Sequence, residues 1–322
     1  MPTLNDTAAG RDLIPSADRF RADVLRGLRA PAKALPCKYF YDDAGSRLFD
    51  RITELPEYYL TRTELAIMRR SAGEMAACLG PECLLVEYGS GSSVKTPWLL
   101  EQLAAPAAYV PIDISGPHLR RSAANLAARF PGLEVLPVCA DFTQPVPLPR
   151  LQTRHRRRAV YFPGSTIGNF TPDEAIALLR QTARLVGPGG ALLLGADLKK
   201  DPRVIEAAYN DSQGVTAAFN RNLLVRINRE LGADFDVEQF WHHAFYHPGE
   251  GRIEMHLVSR QDQCVDLRHE RIPFDEGESI RTEYSYKYSP ADLRAVAAAS
   301  GFEVRRVWND PERYFSVQYL TA

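Results

Sequence analysis

The sequence has no CxxC pair: its five cysteines, Cys37, Cys78, Cys83, Cys139 and Cys264, are odd in number and irregularly spaced. That pattern argues against a disulfide framework, a cysteine zinc site or a redox role, and the thiols read as structural residues of a reducing compartment. Net charge is also nearly absent, with 39 basic against 40 acidic side chains in 322 residues, so there is no basic field to attract nucleic acid. No segment approaches the roughly 20 apolar residues of a membrane span, and MPTLNDTAAGRDLIP lacks a basic region followed by an apolar run. These absences lead us to expect a soluble, cytoplasmic monomer with a small-molecule partner, no nucleic acid and no membrane. What is there, 45% hydrophobic and 25% charged residues, suffices for a full core and excludes a disordered chain.

From about residue 60 to 200, short apolar runs alternate with helical stretches: CLLVEYGSG, AAYVPIDIS, LEVLPVCADF, RRAVYFPGSTIGN and GGALLLGADL. Strands separated by helices predict a parallel α/β sheet, doubly wound. Ser115 can cap the helix SGPHLRRSAANLAARFPG; Thr171, Pro172 and Gly187 read as cap, first-turn proline and stop of another. After GADL the alternation ends. Residues 201–231 read as helices, followed by two β-rich runs, HAFYHPGEGRIEMHLVSR and QCVDLRHERIPF, which suit an antiparallel substrate-binding insertion. The chain then returns to its first rhythm, with a Ser289-capped helix stopping at Gly301 and two closing strands, FEVRRVWND and YFSVQYL.

The segment Glu87 to Ser93, EYGSGSS, leaves an apolar strand and enters a helical stretch, KTPWLLEQLAA. Glycines there let the backbone turn sharply beside a ligand at a helix N-terminus. The third glycine of a dinucleotide GxGxxG is missing, which disfavours a nicotinamide dehydrogenase. Asp113 ends the next strand, where a carboxylate can accept both ribose hydroxyls. Asp141 with Phe142 ends the third, where an acid can bond an adenine amine and an aromatic can cover a base. Taken singly these residues also read as a tight turn, a helix-capping acid and a core phenylalanine.

Together with the Gly187-Pro188-Gly189-Gly190 turn they resemble the class I S-adenosylmethionine-dependent methyltransferases. The resemblance implies that S-adenosyl-L-methionine lies along Gly89, Asp113, Asp141 and Phe142, with Lys95 reaching its carboxylate. Longer and more idiosyncratic segments, KYFYDDAGSRLFDRITELPEYYLTRTE, FPGSTIGN, AYNDSQGVTAAFNRN, RIEMHL and TEYSYKY, closely resemble the histidine Nα-methyltransferases of ergothioneine biosynthesis. Those enzymes convert L-histidine to its betaine, hercynine. The resemblance runs from about Lys33 to the C-terminus. It implies a class I methyltransferase domain of residues 60–200 and 287–322, and an α+β substrate-binding domain of residues 1–59 and 201–286.

Carried over residue by residue, it implies that Asn169 and Tyr209 hold the α-carboxylate of histidine and that Tyr58, Glu283 and Ser285 surround the imidazole. Tyr41 would stand near the α-amine through water, and Gly164, Phe219 and Met255 would line the pocket. A carboxylate on one side and a hydroxyl on the other suit a ring with one donor and one acceptor nitrogen. Aromatic walls suit a product that becomes a quaternary ammonium. Two positions depart from the pattern: Tyr88 replaces an aliphatic residue in the glycine loop, and Tyr39 stands where relatives carry Trp. Methyl transfer to an amine is then chiefly positioning, with Tyr41 as a proton relay in the role of catalytic residue beside Asn169. A silent S-adenosylmethionine-binding module would keep Gly89, Asp113 and Asp141 but not the converging histidine set. His242, His243, His247 and His256 lack HExxH spacing and read as strand histidines, the run Arg154 to Arg158 as a solvated loop, and Glu54, Glu57 and Glu64 as surface charges.

Overall fold

The computed structural model describes residues 14–322, so residues 1–13 of the expected N-terminal arm lie outside the described residues. Three helices come first: Ala17–Leu28 (α1), Asp43–Glu54 (α2) and Tyr59–Leu79 (α3). Ser16 and Asp42 cap the first two, accepting from the backbone N–H groups of Arg19 and Gly45 that a helix start leaves unpaired.

The alternating region follows as Cys83–Tyr88 (β1), Thr96–Leu100 (α4), Ala108–Asp113 (β2), Gly116–Arg129 (α5), Val138–Cys139 (β3), Arg157–Phe162 (β4), Pro172–Val186 (α6) and Ala191–Asp197 (β5). Thr171 and Glu174 form a reciprocal capping box on α6, as the Thr-Pro-x-Glu spacing requires. Three details differ from the sequence reading. The third strand shrinks to two residues because Pro137 has no N–H for the ladder. The fourth helix lasts five residues, and the chain passes through turns from Glu101 to Pro106. Ser115 stands at the N-cap of α5, but its hydroxyl bonds Ser46 instead of the helix.

Beyond β5 come Pro202–Tyr209 (α7), Val215–Leu231 (α8), Phe240–His247 (β6), Arg252–Ser259 (β7), Gln263–Leu267 (β8), Glu270–Phe274 (β9) and Ser279–Tyr286 (β10). Pro290–Ala299 (α9), Glu303–Asn309 (β11) and Phe315–Thr321 (β12) close the chain, with Ser289 and Asp292 boxing the start of α9.

The main sheet has the order β11-β12-β5-β4-β1-β2-β3. The strands β1 to β5 are parallel, and β12 runs antiparallel between β5 and β11. Every residue of β1 and β5 is buried, as expected for parallel strands covered on both faces. Alternate residues feed opposite cores: Leu84 and Val86 join one cluster, Cys83 and Leu85 the other. A third cluster packs Phe20, Phe40, Ile52 and Tyr58 against Phe219, Leu223, Met255 and Leu257. It binds the N-terminal helices to α7, α8 and a three-stranded antiparallel sheet of order β10-β7-β6. Strand order reverses between β1 and β4, so their carboxyl ends open the crevice where such sheets bind ligands.

Candidate active site

At the end of β1, Glu87 is fully buried and accepts from Thr96 Oγ1 at 2.6 Å and Tyr109 OH at 2.5 Å. Burial pushes its carboxyl up to about 7, against those two hydroxyls. It braces the turn from behind. The loop itself is pinned to β2: Gly89 N–H donates to Ile112 O at 2.9 Å, and Gly91 N–H to Asp113 Oδ2 at 3.0 Å. The second oxygen of Asp113 accepts from Ser115 N–H at 2.9 Å. Burial raises the Asp113 pKa, and those N–H groups oppose the rise.

Asp141 accepts from Thr143 N–H and Oγ1 on one oxygen and faces Lys38 Nζ at 3.1 Å on the other. Phe142 beside it stacks on Tyr88 with ring centroids 5.1 Å apart and planes 7° apart. The aromatic departure at position 88 is thus part of the wall that carries Phe142. Tyr39, the other departure, donates to Asp23 at 2.8 Å, next to Lys38. Gly89, Lys95, Asp113, Asp141, Phe142 and Asn169 all line one cavity of about 910 Å³.

Glu64 corrects the sequence reading. It is wholly buried, not a surface charge, and accepts from Gly164 N–H at 2.9 Å, Tyr161 OH at 3.2 Å and Lys95 Nζ at 2.5 Å. It fits because Gly195 of β5 has no side chain: a Cβ there would stand 2.6 Å from Glu64 Oε1. Glu57 accepts from Ser212 near the surface. Arg157 belongs to β4, not to a loop, and bonds carbonyls at the end of α3.

A chamber of about 50 Å³ is lined by Tyr41, Tyr58, Gly164, Asn169, Tyr209, Phe219, Met255, Glu283 and Ser285. All the residues expected at the substrate are therefore brought together, although they come from both ends of the chain. Tyr41, Tyr58, Gly164, Asn169 and Glu283 also line the larger cavity, so the two spaces adjoin. Glu283 of β10 lies opposite Met255 of β7. Gly168 lets β10 approach the loop after β4, since a Cβ there would lie 2.7 Å from Tyr286 O and 2.9 Å from Ser285 Oγ.

Burial holds the phenols of Tyr41, Tyr58 and Tyr209 well above their ordinary pKa, so they are neutral donors near pH 7. It pushes the Glu283 carboxyl up to about 7, with Lys287 pulling the other way. Lys287 was missed from sequence. It is buried, 3.0 Å from Asp197 Oδ2 and 2.9 Å from Ser285 Oγ. The spacing 283, 285, 287 was its signal, because alternate residues of an extended run share a face.

A seven-stranded sheet of this order, with acid-ended strands around a glycine turn at its carboxyl edge, is the fold of a class I methyltransferase. The chain belongs to the SAM-dependent histidine-specific methyltransferase family, which it matches over residues 20–322. It is 43% identical over 311 residues to the histidine N-alpha-methyltransferase of Mycolicibacterium smegmatis, covering 94% of each chain. With the enzyme of that name from Mycobacterium tuberculosis it shares 44% identity over 296 residues, 90% of this chain and 91% of the other. A more distant relative is the 4-dimethylallyltryptophan N-methyltransferase of Aspergillus fumigatus, 28% identical over 311 residues and covering 90% and 89%.

Proposed function

We propose that the chain transfers three methyl groups from S-adenosyl-L-methionine to the α-amine of L-histidine, giving hercynine, the first step of ergothioneine biosynthesis. The observation that carries this reading is the convergence of Asn169, Tyr209, Glu283 and Ser285 on one chamber that adjoins the glycine-loop cavity.

The donor set fits the cofactor. Asp113 keeps lone pairs for two ribose hydroxyls beyond its backbone bonds, Asp141 can take an adenine amine, and Phe142 offers a ring edge or face to the base. The Ser90 hydroxyl, in the same loop, is buried, has no hydrogen-bond partner among the described residues and lines the cavity. Lys95 and the N–H groups of the loop suit a carboxylate. Bound there, the cofactor supplies an electrophilic methyl group on sulfonium.

The residues of this chain position the amine for in-line attack. Asn169 and Tyr209 hold the α-carboxylate, Glu283 and Ser285 hold the imidazole, and Tyr58, Phe219 and Met255 exclude water around it. The α-amine must shed a proton before each transfer, since its reference pKa is about 8. Tyr41, neutral and facing both spaces, passes that proton through water to solvent. After the third transfer the amine has no proton left, and the aromatic walls suit the cation formed.

In this reading residues 1–59 and 201–286 act as the substrate-binding domain over the methyltransferase domain of 60–200 and 287–322, in a cytoplasmic monomer. Among the described residues no helix is long and apolar enough to cross a membrane. Mass spectrometry of L-histidine incubated with the protein and S-adenosylmethionine tests the reading. Mono-, di- and trimethyl products are expected, and absence of any mass gain with cofactor-bound protein would overturn it.

A further inference from the structure

Lys287 lies behind the substrate chamber. Its side chain is wholly buried, and its ammonium meets three acceptors: Asp197 Oδ2 at 3.0 Å, Ser285 Oγ at 2.9 Å and Tyr209 OH at 3.3 Å. An ammonium has three N–H donors and no lone pair, so neither hydroxyl can donate to it. The protons of Ser285 and Tyr209 must point elsewhere. Tyr209 and Ser285 also hydrogen-bond each other, so one of the two protons lies between them, while Asp197 is held by Lys200 Nζ at 2.5 Å and Tyr59 OH at 2.7 Å as well as by Lys287. Both hydroxyls line the chamber, and that is where an acceptor on the substrate would meet the proton that remains.

Glu283, two residues earlier on the same face of β10, also lines the chamber. Among the described residues its carboxylate has no hydrogen bond or ion pair; the neighbouring bases are turned elsewhere, Arg281 over the Tyr284 ring and Lys287 onto Asp197. A lone carboxylate accepts from an imidazole N–H but attracts the imidazolium more strongly, so it cannot by itself select the neutral ring. The other titratable groups that bear on Glu283 are Cys37, Tyr41, Tyr58 and Tyr209, all held neutral by burial. Lys287 is the charged group acting on it; because Asp197 is shared between Lys287 and Lys200, one positive charge of the three is left over, and it opposes a second cation beyond the Ser285 hydroxyl.

We infer that Lys287 is a positioning and specificity residue that makes the chamber take neutral histidine: it fixes Ser285 as a donor to one ring nitrogen while Glu283 accepts from the other. The inference rests on the histidine reading above. It extends that reading from which residues touch the ring to the protonation state they require, and it implies rejection of side chains that carry their own positive charge.

Histidine with labelled ring nitrogens, bound to the wild-type protein with S-adenosylhomocysteine near pH 6.5, where about half of free histidine is cationic, tests this by nitrogen NMR. One pyrrole-like and one pyridine-like nitrogen are expected; two pyrrole-like nitrogens, an imidazolium, would overturn the assignment. In parallel, Lys287→Met should weaken histidine binding by about 5- to 150-fold and phenylalanine binding by less, read by calorimetry. The same variant no longer pulls the Glu283 carboxyl down, so the fall of histidine affinity on acidification should move to higher pH, which a merely structural role would not do. Equal losses for both amino acids at every pH would overturn the role of Lys287. Should that variant not fold, the wild-type NMR spectrum decides alone. Wild-type protein that binds no histidine at all would instead overturn the histidine reading and this inference with it, whereas histidine bound as the cation defeats this inference only.

Discussion

The carboxylate of Glu64 lies 2.5 Å from the ammonium of Lys95, a buried pair that ties α3 to the end of the glycine loop. Glu64 also holds the backbone N–H of Gly164, in the loop after β4. One side chain therefore sets the spacing between the cofactor loop and the substrate loop.

Glu64→Ala should destabilise the protein by about 3–5 kcal/mol, because removing one partner strands a buried charge along with two further donors. Urea unfolding measures the loss. Glu64→Gln, which can still accept from Gly164, should cost less. If Glu64→Ala unfolds at the wild-type midpoint, the pair does not hold these elements together.

Asp113→Ala should weaken S-adenosylmethionine binding by roughly 1–3 kcal/mol, read by calorimetry, because buried hydroxyls and N–H groups lose their acceptor. The structure adds a second route to the same loss, since Asp113 anchors Gly91 as well as facing the cavity. Unchanged cofactor affinity would remove Asp113 from the site.

Asn169→Ala and Tyr209→Phe should each raise the KM for histidine by about 10- to 150-fold, the worth of one hydrogen bond to a charged carboxylate in a closed site. Cofactor affinity should stay near its original value. Equal damage to cofactor and histidine binding would make the two residues supports of the fold rather than substrate contacts.

Glu283→Ala should shift the ratio of kcat/KM values from histidine toward tryptophan or phenylalanine, by about 5- to 150-fold, since a polar ring loses its acceptor and an apolar-faced one loses far less. An unchanged ratio would exclude Glu283 from ring recognition. A stability effect accompanies it. The folded-state pKa of Glu283 stands at about 7 against an ordinary 4.5, so the ionised carboxylate disfavours the fold. That cost is absent below the ordinary value, grows as pH rises from there to the folded one, and is complete above it. Without substrate, Glu283→Gln should melt above wild type at alkaline pH and with it at acid pH; a lower melting point in alkali would show that Glu283 is structurally paired.

Local chemistry determined much of this protein. The apolar runs of β1, β2, β4 and β5, the Thr171 and Ser289 caps, and the acids ending β1 and β2 follow from neighbours within a few residues, and hydrophobic period and capping report such neighbours directly. The substrate set, Tyr41 through Ser285, was reachable only through resemblance, because its members are scattered along the chain and meet across a cluster built by tertiary packing. Glu64 had no local mark at all. An acid in a helix reads as solvated, and its burial depends on a missing side chain at Gly195, more than a hundred residues away. Lys287 is intermediate: its spacing from Glu283 and Ser285 is in the sequence, but that its charge turns inward is decided by Asp197 at the end of β5. A buried ammonium persists only where the fold supplies the counter-charge and acceptors, and that supply is a property of tertiary structure.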